Sequence, residues 1–82
     1  MYEIELSDKS KKQLKNLPAN LQHRIGMVFE RIKVNPFRNV KRKQGTPYFI
    51  LRVGGYRAIL DIKQNKLLIL VLEVGPRGNI YQ

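Results

Sequence analysis

The 82-residue chain contains no cysteine, which excludes disulfide frameworks, thiolate nucleophiles and Cys-based zinc sites together. Its single histidine, His23, closes off any mechanism that pairs two histidines to cleave a phosphodiester. His23 falls two residues from Ile25 on a helical stretch, hence on its polar side. Acids are scarce: six Asp+Glu against sixteen Lys+Arg leave a formal net charge of +10. Metal-dependent nucleases need two or three convergent carboxylates. Here Glu3 and Glu5 occupy exposed strand positions, Asp61 and Glu73 stand apart, and no metal or cofactor site is expected. No G-x-x-x-x-G-K-[ST] loop occurs, and Gly75-Pro76-Arg77-Gly78 has too few glycines and no following helix. Long apolar runs are missing as well. The longest, Leu67–Leu72, has six residues, against the roughly 20 a membrane span requires. The opening Met1-Tyr2-Glu3-Ile4-Glu5 has neither the basic nor the apolar region of an export signal. The chain reads as one soluble, cytoplasmic domain, 1–82, whose stability rests on core packing and on a partner's help.

What is present is cationic charge, unevenly spread. From Lys9 to Arg57 there are thirteen basic residues and one acid, Glu30. Such a one-sign field attracts a phosphate backbone by counterion release, without reading its sequence. The alternative is a merely solubilising basic surface.

Tyr2-Glu3-Ile4-Glu5-Leu6 alternates apolar and acidic residues, the period of a half-buried strand. Ser7 and Asp8 supply N-cap chemistry for a short helix running to about Leu17. After Pro18, the apolar residues Leu21, Ile25, Val28, Phe29 and Ile32 recur at helical spacing until Asn35-Pro36 closes the second helix. Residues 37–47 read as a basic, irregular connection containing Lys41, Arg42 and Lys43. The period then changes to two: Tyr48–Val53 and Tyr56–Ile62 are strands joined by Gly54-Gly55, and Leu67–Val74 is a strand buried in mid-sheet. Two glycines between apolar runs predict a two-residue type I′ hairpin with positive φ at both. The expected fold is α+β: a small antiparallel β-sheet with an N-terminal αα-hairpin packed on one face, in the order β-α-α-β-β-β.

The glycine pair fixes a register. Val53 pairs with Tyr56 and Arg52 with Arg57, so Phe49, Leu51, Val53, Tyr56, Ala58, Leu60 and Ile62 share the face that receives the helices. The opposite face carries Arg52 and Arg57 side by side. Like charges directly across a strand pair are destabilising by up to about 1 kcal/mol. Either an anion sits between them, or each is neutralised by Asp61 or Glu73. Gly75-Pro76 ends the last strand, leaving Arg77 and Tyr81 able to turn back onto that face. Three guanidiniums and a phenol suit a phosphodiester, since arginine forks bind its nonbridging oxygens and stabilise the charge of a pentacovalent transition state. RNA brings its own nucleophile, the 2′-OH, and guanidiniums beside a phenol favour its charged, basic form. Tyr81 is otherwise a packing or frayed terminal residue.

The opening strand, the helical hairpin ending Asn35-Pro36, Lys41-Arg42-Lys43-Gln44-Gly45, the pair Leu51-Arg52-Val53-Gly54-Gly55-Tyr56-Arg57-Ala58-Ile59-Leu60 and the ending Val74-Gly75-Pro76-Arg77-Gly78-Asn79-Ile80-Tyr81 together resemble the RelE/ParE superfamily of type II toxin–antitoxin systems. The resemblance covers essentially the whole chain. It implies a cognate, RelB-like antitoxin with an acidic segment and, for the RelE branch, mRNA cleavage in the ribosomal A site. It further implies that Arg57 contacts the scissile phosphate, that Arg77 is a second catalytic arginine, and that Tyr81 orients or activates the reaction. Arg52 takes a substrate-positioning role, while Lys41, Arg42 and Lys43 hold mRNA and ribosomal RNA backbone. RelE-type enzymes usually carry lysines on the strand before the hairpin, whereas this chain has none between Lys43 and Lys63. The ParE-like branch implies instead a non-enzymatic toxin that blocks DNA gyrase.

Overall fold

A computed structural model describes residues 1–76. The elements are β1 (Glu3–Leu6), α1 (Asp8–Lys15), α2 (Ala19–Ile32), β2 (Val40–Arg42), β3 (Phe49–Val53), β4 (Tyr56–Lys63), a 3-10 turn (Gln64–Lys66) and β5 (Leu68–Pro76). They form one five-stranded sheet in the order β1-β5-β4-β3-β2. The α+β class and the helical pair on one face are as the sequence predicts. Two features differ. The sheet is mixed, because β1 lies parallel to β5, with Glu3 opposite Leu68 and Leu6 opposite Val71. The first and last strands meet side by side, and the helices and the intervening hairpins supply the crossover that parallel pairing requires. The connection 37–47 also contains a strand, β2, pairing Val40 with Leu51 and Arg42 with Phe49. Its Lys and Arg make it a short, charged edge, which discourages pairing with other chains.

Period-two alternation puts Leu51, Val53, Ala58, Leu60, Ile69, Val71 and Val74 on the inner face. There they bury against Ile25, Phe29 and Ile32, which helical spacing places on one side of α2. The helix ends at Ile32, ahead of Asn35-Pro36. The hairpin register is the expected one, with Val53 opposite Tyr56 and Arg52 opposite Arg57. The turn differs: Gly54 alone has positive φ, 60°, the II′ rather than the I′ pattern. A Cβ at Gly54 would also meet the Arg24 guanidinium at 3.2 Å. A bulge shifts the β4–β5 register, with Ile59 opposite Glu73 but Leu60 opposite Val71, so Leu72 is the extra residue.

Helix α1 docks differently from α2. Its inward side is part apolar, with Leu14 against the core, and part polar where it covers the edge of β5. Ser7 caps the helix, its Oγ accepting from the Ser10 N–H at 3.0 Å and donating to the Leu72 carbonyl at 2.8 Å. One turn on, the buried Ser10 Oγ donates to the Val71 carbonyl at 3.0 Å, and Gln13 Oε1 accepts from the Val74 N–H at 2.7 Å. Spacing of three keeps these residues on one side of the helix. They supply the edge of β5 with hydrogen-bond partners, as buried backbone groups require. Ser10→Ala should therefore lower stability by about 1 kcal/mol, read as a reduced urea midpoint at unchanged slope. An unchanged midpoint would show that the bond contributes nothing.

Candidate functional site

The outer face, away from the helices, follows from the strand registers. One row across the sheet is Lys41, Ile50, Ile59 and Glu73, and the next is Arg52, Arg57 and Gly75. The two arginines thus stand directly opposite each other on neighbouring antiparallel strands. Their exposures differ sharply. Arg52 is exposed, whereas Arg57 retains 2% of its accessible surface. Arg57 is thus the covered member of the pair and Arg52 the open one. The two carboxylates that stood as counterions have lysine partners. Glu73 pairs with Lys9 of α1, and Asp61 with Lys63 at 3.1 Å.

Beside Arg52 lies a cleft of about 600 Å³, opening between β2, β3 and the loop that joins them. Lys41, Arg42, Lys43 and Arg52 all line it, so the structure brings these four predicted residues together. Strand alternation nevertheless divides the basic run. Lys41 shares the outer face with Ile50, while Arg42, opposite Phe49, lies with its guanidinium carbon 5.8 Å from the Phe49 ring centroid. Phe37 meets the same ring edge-on, centroids 5.4 Å apart. Arg42 is therefore partly committed to an aromatic cluster, a cation–π contact the sequence pattern did not suggest. The cleft also takes in Asn39, Gln44 and Ile50. The amides Asn39 and Gln44 escaped the sequence reading, although the Gln44-Gly45-Thr46 turn beside the basic run was a legible signal. Arg77 and Tyr81, predicted to return to this face, lie outside the described residues. His23 is exposed on α2. Among the described residues no three of His, Asp and Glu gather as a metal site, and no helix is long and apolar enough to cross a membrane.

Taken chemically, the outer face offers the exposed Lys41, one exposed guanidinium, one buried guanidinium and a concavity between strands. Lysine is a point charge that follows a backbone, and an arginine fork matches two phosphate oxygens at once. The arrangement suits a polyanion lying along β3 toward the hairpin tip.

Solved RelE–RelB complexes share this arrangement of helices and strands. The RelE–RelB complex of Pyrococcus horikoshii OT3 superposes with a TM-score of 0.83 at 24% identity, covering 95% of this chain and 97% of that one. The RelBE2 toxin–antitoxin complex of Mycobacterium tuberculosis gives 0.82 at 23% identity, with 93% and 98% covered. The intact RelBE complex of E. coli gives 0.80 at 20%, with 93% and 96% covered. No curated protein sequence matches the chain. The family model described as the ParE toxin of the type II toxin–antitoxin system parDE matches residues 4–81, and the chain belongs to that family, a toxin of the RelE/ParE superfamily.

Proposed function

We propose that this toxin is a ribosome-dependent mRNA endoribonuclease that needs no metal ion. The observation that carries the reading is the cross-strand Arg52–Arg57 pair, whose Arg52 lines a cleft with Lys41, Arg42 and Lys43. In the reaction the 2′-oxygen bonds to phosphorus and the bond to the leaving 5′-oxygen breaks. The 2′ proton goes to a base, and a proton is delivered to the leaving oxygen. The products are a 2′,3′-cyclic phosphate and a 5′-hydroxyl. Arg57 stabilises the charge on the pentacovalent phosphorus. Arg52 and the three basic residues of the cleft hold the backbone in register. Arg77 serves the phosphate or the leaving oxygen, and Tyr81 orients or deprotonates the 2′-OH. The cognate antitoxin is a RelB-like protein whose acidic segment covers part of this +10 surface. The structural likeness to RelE chains solved with RelB supports that partner.

The test is cleavage of mRNA on programmed ribosomes, with naked mRNA as control. Cuts confined to ribosomes, at defined codon positions, are expected. A second reading has its own observation, the ParE family match. On that reading well-folded protein cuts no RNA, inhibits DNA gyrase supercoiling, and uses the cationic face to bind a protein.

The lysines of the cleft have a separate signature. K41Q/K43Q should weaken ribosome association and flatten its dependence on log salt by about 1.4, two contacts at roughly 0.7 each for single-stranded nucleic acid. Arg42 is left intact because it packs on Phe49. A salt slope equal to the parent's would remove both lysines from backbone binding.

A further inference from the structure

The cations of the cleft are accounted for by phosphate. Its two amides and its apolar wall are not. A phosphate site calls for donors alone, whereas an amide side chain presents a donor beside an acceptor, the pattern on the edge of a nucleobase. We infer that the cleft is a base-reading subsite: an unstacked nucleobase packs against Ile50, Gln44 and Asn39 hydrogen-bond its edge, and its phosphate lies on Arg52 and Lys41.

Three observations carry this inference, which rests on the RNA reading above. The first is the placement of Ile50. It stands opposite Lys41 in β2 and two residues from Arg52 on the same face of β3. Residues two apart on a strand are about 7 Å apart. A base against Ile50 and a phosphate at Arg52 therefore belong to one nucleotide or to neighbours. The second is the presentation of Gln44. The Lys43 N–H donates to the Tyr48 carbonyl at 2.9 Å and the Thr46 N–H to the Lys43 carbonyl at 3.2 Å, closing a turn with Gln44 and Gly45 at its centre. Gly45 has φ 77°, the value a type II turn needs at that position. Thr46 Oγ1 donates to the Lys43 carbonyl at 2.8 Å and accepts from the Tyr48 N–H at 3.1 Å, locking the turn from inside. Gln44 is thus held on a hydrogen-bonded turn, so only its side-chain rotamers are left to be ordered when its amide engages. The third is size. A volume near 600 Å³ lies within the range of small-molecule sites and admits a nucleotide. Recognition of this kind, with bases splayed from a single strand and read on their edges, is how proteins read unpaired RNA.

The experiment is an NMR titration of the ¹⁵N-labelled full chain with inorganic phosphate and, separately, with each of the four 5′-mononucleotides. The expected result has three parts. At least one nucleotide binds tenfold or more tighter than phosphate and shifts the side-chain amides of Gln44 and Asn39. The four nucleotides bind unequally. Q44A then flattens that ranking by on the order of tenfold while phosphate affinity stays as in the parent. The inference is overturned if phosphate moves those amides as far as any nucleotide does, if the four bind alike, or if Q44A preserves the ranking. No ribosome is involved, so the two readings fail separately. A chain that ranks nucleotides but cuts no mRNA keeps this subsite and loses the nuclease. A chain that cuts mRNA, with Q44A cutting at the same codons in the same proportions, keeps the nuclease and loses this subsite.

Discussion

Arg57→Ala is expected to slow mRNA cleavage on ribosomes by a factor of 10²–10³, the scale for removing one preorganised stabiliser of transition-state charge. The geometry gives the reason. Arg57 sits on the central strand β4, directly opposite Arg52, with hairpin neighbours on both sides that fix its backbone. Its burial, at 2% exposure, places the guanidinium away from bulk water, where its field on a phosphate is less screened than that of a surface charge. Arg52 is exposed, so Arg52→Ala should weaken substrate binding more than it slows the chemical step. Arg57→Lys separates charge from fork geometry: it keeps the cation but loses bidentate recognition, and should fall between parent and alanine variant. Single-turnover cleavage on programmed ribosomes measures all three, with thermal unfolding run alongside because a buried side chain is being truncated. An Arg57→Ala protein that is folded and within tenfold of the parent would take Arg57 out of the mechanism.

The Arg52–Arg57 juxtaposition was legible in the sequence because two local signals agree on it. Strict alternation from Phe49 to Ile62 sets the faces, and Gly54-Gly55 sets the register between them. The turn type was not legible, since Gly54-Gly55 accommodates either primed form and nothing local chooses between them. Strand β2 was hidden because it is three residues long and two of them are charged; only its partner β3 makes it a strand. The same alternation turns Lys41 and Arg42 to opposite faces, although in one dimension they form a single basic run. The parallel partner of β1 has no local signature, being set by a contact some sixty-five residues away. The docking of α1 adds a polar seam to the apolar contact made by Leu14. Ser7, Ser10 and Gln13 look like a solvated stripe until the β5 edge supplies carbonyls and an N–H for them to meet. The burial of Arg57 is likewise unlike that of Arg52 opposite it, although alternation puts both on one face.

Leu60→Ala should be the most damaging single truncation for stability, costing about 3 kcal/mol within the 2–5 kcal/mol range for buried leucines. Leu60 has 0% exposure and lies between Phe49 of β3 and Val71 of β5, next to the bulge at Leu72. A chain of this size with no disulfide has roughly 4–12 kcal/mol of total stability, so the loss is a large share of it. With a urea slope near 1 kcal/mol per molar, the midpoint should fall by about 3 M. Ile50→Ala, on the outer face and half-buried, should cost about 1 kcal/mol or less, although it removes a wall of the cleft. The pair separates fold from site: the first variant loses the fold while every site residue is retained, the second stays folded with its cleft altered. Binding only the native state, the antitoxin should rescue the first, contributing about 2.7 kcal/mol when present at a hundredfold its dissociation constant. Leu60→Ala expressed with its antitoxin is thus expected as a folded complex, and alone as a chain near its unfolding midpoint. A loss below about 1 kcal/mol would mean that the inner face of β4 is not the packed centre from which Arg57 projects.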